Sequence, residues 1–226
     1  MKLLSVNVGS RRRLAGAGKS GFTGIFKEPR RGPVLVRRSG LDGDAIVDAA
    51  NHGGPDQAVY VFSLEDYRWW SREVGRELLP GTFGENLTVA GVESAALNVG
   101  DRLLVGREVV LEVTAPRIPC GTLSARMGDR LFPKKFRAAE RPGFYCRVLQ
   151  TGEVRAGDAV ALEPYSGGLE PPLSIIESFR EFFSPERSEA ALRRHLAAPI
   201  AVRDREEKER LLAEFCEPRS ESRGRE

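Results

Sequence analysis

Up to about Tyr165, apolar and polar residues alternate with the two-residue period of β-strands. The pattern predicts strands at Leu3 to Val8, Val34 to Arg38, Ala58 to Phe62, Glu108 to Thr114, Phe144 to Leu149 and Ala159 to Leu162. Glycines punctuate nearly every junction. Val99-Gly100-Asp101-Arg102-Leu103-Leu104 recurs as Ala156-Gly157-Asp158-Ala159-Val160-Ala161, two Gly-Asp turns that each launch an apolar strand, and such recurrence predicts a mostly β fold of barrel type. One helix interrupts it. Ser63 is its N-cap, Asp66 takes the capping-box position, and Leu64, Tyr67, Trp70 and Val74 share one face.

Beyond the Gly/Pro cluster at residues 165–172 the period becomes helical, which predicts a boundary between a β domain at 1–165 and a three-helix domain at 170–216. The first helix carries Ile175, Ile176, Phe179, Phe182 and Phe183 on its apolar face. The second is expected to begin with Ser184 as N-cap and Pro185 at its first position. The third runs from about Arg203 to Cys216, with a charged outer face and Leu211, Leu212 and Phe215 turned inward. Residues 217–226 are polar and are expected to be a disordered tail. The apolar faces of three short helices need something to cover, which favours a capping role for them.

Composition narrows the class. A chain of 226 residues with 41% hydrophobic content can bury a sizeable core. No run is apolar enough to span a membrane, and the start is too short and polar for a signal peptide, so a cytoplasmic location is expected. Three unpaired-looking cysteines fit a reducing compartment. Residues 1–38 hold ten Lys or Arg against Glu28 alone, leaving the remainder net acidic. Such an arm suits nucleic acid or the phosphate of a cofactor. With only Phe22 and Phe26 as aromatics, and none of the usual recognition motifs, it argues against nucleic acid.

Cys120 is the leading chemical candidate. It follows a β-rich run in Pro116-Arg117-Ile118-Pro119-Cys120, where two prolines stiffen the backbone and Arg117 lies three residues before the sulfur. Nearby cations favour a thiolate. A small core thiol in a stiff loop is the alternative. Cys146 alternates with Phe144 and Val148, and Cys216 follows Phe215, so both read as core fillers; His195 reads as a helix-surface residue.

Gly18-Lys19-Ser20 resembles the end of a P-loop but lacks the required earlier glycine, since Arg13 stands there, and Pro29 prevents the helix that should follow. Lys19, Ser20 and Thr23 could still hold one phosphate; a mobile basic loop is the equal alternative. Asn51-His52-Gly53-Gly54 enters a strand, where a glycine-flanked histidine suits binding or proton transfer. Gly84-Glu85-Asn86 adds a carboxylate beside an amide able to read a heterocycle. For it, as for Gly40-Leu41-Asp42-Gly43-Asp44, a self-stabilised turn is the default, with a site role for Asp44 second. Two histidines and three scattered cysteines lack zinc-ligand spacing.

Taken in order, His52-Gly53-Gly54-Pro55-Asp56, Phe83-Gly84-Glu85-Asn86-Leu87, Gly100-Asp101 and Pro116-Arg117-Ile118-Pro119-Cys120 resemble the MOSC family, the molybdenum cofactor sulfurase C-terminal domain. Thr23-Gly24-Ile25-Phe26-Lys27 and the helical tail make its stand-alone bacterial YiiM-like branch the closer match. The resemblance implies a mixed β-barrel with a few helices that binds a molybdenum-pterin cofactor through Cys120 as the metal ligand. At family level only, it also brings a link to pyridoxal phosphate. A pterin dithiolene supplies most of the donors, so one protein thiolate suffices. The chemistry of its phosphate points to Lys19, Ser20, Thr23 and Arg37, with His52, Gly53, Gly54, Asn86 and Arg117 lining the pterin or the substrate mouth.

The branch is linked to reductive detoxification of N-hydroxylated compounds such as hydroxylaminopurine bases, with His52 or Glu85 as proton donor. No nicotinamide or flavin fingerprint occurs, so a separate electron-donating reductase is expected, and monomer and homodimer stay open. Many relatives carry a basic residue two positions after the cysteine, where Thr122 stands here, which bears on substrate contacts. A carrier of cofactor or sulfur is the second reading, and a cysteine hydrolase using Cys120 and His52 the third.

Overall fold

A computed structural model describes residues 1–18, 20–48, 53–168 and 170–216, so the expectations for Lys19, Asn51, His52 and the 217–226 tail lie outside the described residues. The elements run β1 (Lys2–Gly9), β2 (Arg12–Arg13), β3 (Phe22–Thr23), β4 (Lys27–Pro29), β5 (Val34–Arg37), β6 (Gly40–Leu41), β7 (Val59–Ser63) and α1 (Leu64–Glu73). Then come β8 (Leu87–Ala90), β9 (Arg102–Val105), β10 (Val109–Pro116), α2 (Gly121–Met127), α3 (Phe132–Ala139), β11 (Phe144–Gln150), β12 (Gly152–Val154) and β13 (Val160–Glu163). The last three are α4 (Ile175–Phe183), α5 (Glu189–Leu196) and α6 (Val202–Cys216).

Eight strands form one mixed sheet in the order β13-β9-β10-β11-β7-β8-β1-β4, with β5, β6 and β12 in a smaller sheet. Among the described residues only β7 and β8 pair in parallel, with Val61 opposite Leu87. The sheet curls until β1 approaches β13, but no continuous ladder closes it. At this seam β1 meets the residue just before β13 through a single bridge between Lys2 and Ala159. Backbone bonds from Leu3 to Asp158 (2.9 Å) and from Val160 to Met1 (3.1 Å) flank the bridge. The expected barrel is thus a curled sheet with a seam.

β7 shows why this region reads as a continuous apolar run. Successive side chains point to opposite faces. Val59 and Val61 enter an aliphatic core with Val6, Leu87 and Val113. Tyr60 and Phe62 enter an aromatic core with Trp70, Phe83, Phe132, Phe136 and Phe179. Both faces are buried, so alternation is lost. The C-terminal segment packs on the same two cores, Ile175 of α4 with Ala198 and Ile200 of the α5–α6 link on the aliphatic one and Phe179 of α4 on the aromatic one.

Ser63 caps α1 as its sequence predicts, accepting a bond from the Asp66 amide at 3.0 Å. The Asp66 carboxylate does not return to the cap. It accepts from the Ser94 hydroxyl at 2.6 Å and pairs with Arg141 at 2.8 Å, tying α1 to the loop before β9.

Several details differ from the pattern. Two helices, α2 and α3, fill the stretch after Cys120 that shows no clear period. α5 starts not at Ser184-Pro185 but at Glu189, capped by Ser188, whose hydroxyl accepts from Ala191 at 3.2 Å. Ser184 instead closes α4, its amide donating to Arg180. His195 is buried and not on the surface, its Nδ1 at 3.0 Å from the Ala191 carbonyl. Phe215 and Phe182 are exposed, because α6 and the end of α4 have no layer above those faces. Cys146 is fully buried, and burial pushes its thiol pKa well above normal, as suits a core residue. The Cys216 side chain lies outside the described residues.

Candidate functional site

A cavity of about 550 Å³ opens between the β3–β4 segment, the loop after β6, and the ends of β7, β10 and β11. Cys120 and Arg117 line it, as do Thr23, Lys27, Asp44 and Asn86. Backbone proximity helps to shape this wall: a Cβ on Gly24 would stand 1.9 Å from the Ala45 carbonyl oxygen, so only glycine allows the β3–β4 turn to press against the Asp44 loop.

β10 runs straight into the Pro116–Pro119 segment and delivers Cys120, half-buried, at the start of α2. Arg117 is 4% exposed. Its Nη1 donates to the Phe83 carbonyl, and its guanidinium lies 5.1 Å from the centre of the Tyr60 ring. Its Nε is buried with no protein partner. Burial opposes the charge of Arg117, but Tyr60, Tyr145 and Cys120 outweigh it and raise the pKa above the ordinary arginine value.

Opposite charges are fixed on the β4 side. Lys27 forms an ion pair with Asp44, the two side chains being 9% and 5% exposed. Asp44 Oδ1 also accepts from the Gly9 amide at 2.8 Å, and Oδ2 from Asn86 Nδ2 at 2.9 Å. Asn86 Oδ1 accepts from the Tyr60 amide at 3.1 Å, so Asn86 spans from the ion pair to β7. Its amide groups serve the wall rather than a heterocycle. Burial lowers the Lys27 pKa; Asp44 acts against this without overcoming it.

Of the expected site residues the structure brings together Cys120, Arg117, Asn86, Thr23 and Ser20. Thr23 Oγ1 accepts from the Ile25 amide at 3.0 Å, and Ser20 bonds within its own exposed loop. Arg37 does not belong: it pairs with Asp42 on the exposed end of β5, away from the cavity. Gly53 and Gly54 do not line the cavity either. They lead into a short turn at Pro55–Gln57, where the Gly53 amide donates to Gln57 Oε1 at 3.2 Å and helps hold Gln57 against the wall. Lys19 and His52 lie outside the described residues.

Glu85 is also not a cavity residue. It is fully buried behind the wall, where its Oε1 accepts from Gly81 N at 2.5 Å, Tyr67 OH at 2.7 Å and Thr88 Oγ1 at 2.8 Å. It knots the Gly81–Thr88 loop to α1, and burial raises its pKa. A carboxyl whose folded pKa exceeds its unfolded one favours the fold most below the unfolded pKa, and that advantage is lost as pH rises through the folded value. Glu85→Gln keeps the accepting oxygen and cannot ionise. Its stability relative to wild type should therefore increase from pH 4.5 to pH 7 in urea titrations, while Glu85→Ala should cost about 1–3 kcal/mol by leaving buried donors unpaired.

Lys27, Tyr60, Tyr145 and Gln57 are cavity residues that pattern reasoning passed over, and Asp44 was ranked second as a site. The signal was present for Lys27, which ends Thr23-Gly24-Ile25-Phe26-Lys27 as a charge among residues bound for the interior. The tyrosines carry no such sign, because they read as ordinary strand residues.

No helix among the described residues is long and apolar enough to cross a membrane. The family profile of the MOSC domain matches residues 48–161. YflK of Bacillus subtilis, an uncharacterized protein, is 39% identical over 155 residues, which is 69% of this chain and 70% of YflK. A protein of Gibberella moniliformis named Reductase is 32% identical over 168 residues, 72% of this chain but 30% of that longer protein. The crystal structure of YiiM from Geobacillus stearothermophilus superimposes with a TM-score of 0.74 at 26% identity, covering 93% of this chain and 98% of that one. The cavity with its proline-framed Cys120 thus sits in a chain that belongs to the MOSC domain family and has the fold of YiiM.

Proposed function

We propose that this protein is a molybdenum-pterin oxidoreductase that reduces N-hydroxylated compounds, such as hydroxylaminopurine bases, to amines. MOSC domains are associated with the molybdenum cofactor in general. The observation that carries the reading is Cys120 on the wall of a roughly 550 Å³ cavity beside buried Arg117, whose Nε lacks a protein partner. Cavities of about 300–1,000 Å³ suit small ligands.

The residues present fit the group. Among the described residues no three His, Cys, Asp or Glu side chains converge as a metal site, so Cys120 would be the protein's ligand and the dithiolene would bring further sulfur donors. Arg117 Nε offers a cationic donor to an anionic ligand. When bound, the cofactor supplies two-electron oxygen-acceptor chemistry. The chain's own part is to orient and to shield. Tyr60 and Tyr145, with ring centroids 5.0 Å apart, give an aromatic wall for a heterocycle. Asp44 and Asn86 hold Lys27 in place. Electrons come from a separate reductase.

The test is elemental analysis for molybdenum on protein from a cofactor-competent host, followed by turnover of 6-hydroxylaminopurine with dithionite as reductant. Stoichiometric metal with formation of adenine is expected. Metal without turnover favours a carrier, and a folded protein without metal overturns the proposal.

A further inference from the structure

Reduction of an N-hydroxyl group follows R–NHOH + 2 e⁻ + 2 H⁺ → R–NH₂ + H₂O, so a proton must reach the departing oxygen as the N–O bond breaks. This inference rests on the proposed reaction and asks which side chain gives that proton. Glu85, one of the two sequence candidates, is sealed behind the wall. The described lining of the cavity leaves few others. Tyr60 and Tyr145 are buried and their hydroxyl pKa values lie above the usual tyrosine range, and the Tyr60 hydroxyl already donates to the Pro142 carbonyl at 2.8 Å. Arg117 does not release its proton in a protein. Asp44 has both oxygens taken up by donors from Gly9, Asn86 and Lys27. Asp48 is exposed at the rim.

We propose that Lys27 Nζ donates the proton to the departing hydroxyl oxygen, with Asp44 and Asn86 as its positioning residues. The ammonium lies in the cavity wall, and Asp44 is its hydrogen-bond partner among the described residues. A lysine carries three N–H donors, of which Asp44 takes one. Asp44 in turn cannot swing away, because backbone Gly9 and the Asn86 side chain fix both its oxygens. Lys27 gives one proton to oxygen, which leaves as water. The nitrogen takes the second proton from solvent, and solvent entering past exposed Ser20 and Ile46 restores the ammonium. The two electrons come from dithionite in the assay or from the reductase.

The charges facing Lys27 set its acidity. Burial lowers its pKa most, Asp44 and Glu85 raise it, and Arg117 lowers it, with a net value below that of free lysine. That direction suits an acid that must let go of a proton near neutral pH. In the loaded enzyme the ammonium is the active form, so kcat should fall as pH rises through its pKa.

Two measurements test the assignment. In apo-protein labelled with ζ-¹⁵N-lysine, NMR should show the Lys27 nitrogen titrating below the ordinary lysine value, and Asp44→Asn should move it lower still. Titration at or above the ordinary value overturns the proposal. In molybdenum-loaded enzyme, Lys27→Met and Lys27→Arg should each lower kcat for 6-hydroxylaminopurine by about a hundredfold or more, with metal content unchanged and the alkaline limb of the pH profile gone. Arginine keeps the charge but not the transferable proton. Full activity in Lys27→Arg, or loss of molybdenum in Lys27→Met, makes the residue a charge or cofactor clamp and overturns the assignment. Loaded wild type that turns over no N-hydroxylated purine overturns the parent reading and this one with it. Wild-type turnover that survives Lys27→Met overturns this one alone.

Discussion

Cys120→Ala should yield a folded protein whose molybdenum content drops to background, by more than about a hundredfold, since even residues that only support metal ligands cost 10–100-fold. The fold should survive because Cys120 is only half-buried at the start of α2 and packs on the edge of the aromatic core, whose fully buried members are other side chains. Circular dichroism and the urea midpoint should stay close to wild type while elemental analysis reads the loss. Reduction of 6-hydroxylaminopurine should vanish together with the metal. If activity were lost with the metal retained, Cys120 would carry sulfur or act as a nucleophile and would not ligate molybdenum.

Phe83→Ala should cost about 3–5 kcal/mol of folding stability, read as a lowered urea midpoint. Phe83 is fully buried at the middle of the aromatic core. It stacks on Phe62 with centroids 4.2 Å apart and planes 18° apart, meets Tyr67 edge-on at 5.2 Å, and touches Trp70 at 5.8 Å. Removing the ring leaves a void between β7, α1 and α3 that rigid neighbours cannot fill. Its backbone carbonyl also holds Arg117, so a shifted loop would loosen the cavity wall. Molybdenum retention should therefore fall in the fraction that folds. Phe182→Ala is the control: that ring is 60% exposed, and its loss should stay within about 0.5 kcal/mol.

The strands were legible because each is bounded by turn glycines and carries either alternation or a short apolar run. β1, β5, β7, β10, β11 and β13 fall within a residue or two of the expected positions. α2 and α3 were not legible, for different reasons. α2 buries only Leu123 and so shows no apolar face. α3 carries Pro133 in its first turn, a start signal, but Lys134 and Lys135 mask the spacing of Phe132 and Phe136. At Ser184 and Ser188 the sequence offers two cap residues, and the choice falls to α4, whose last carbonyls take the Ser184 amide first.

The site was half-readable for a related reason. Cys120 and Arg117 stand out because proline frames them. Glu85 and Arg37 have the right chemistry in the wrong place, since one loop turns its carboxylate inward and one strand turns its guanidinium to solvent. Only the curl of the sheet brings Lys27 on β4 and Asp44 after β6 to the same cavity as Cys120.

The seam of that sheet has a bearing on how the chain folds. The bridge from Lys2 to Ala159 joins the first strand to the residue that leads into β13, and it is a single bridge where neighbouring strands share full ladders. Closing so long a loop early forfeits much chain entropy for very few bonds. Local hairpins such as β9–β10 and β10–β11 therefore assemble first, and the two ends dock onto a sheet already curved by its neighbours. The amides of Leu3 and Val160 accordingly belong to the least protected part of the sheet in hydrogen exchange, while those of β10 and β11 report the global stability.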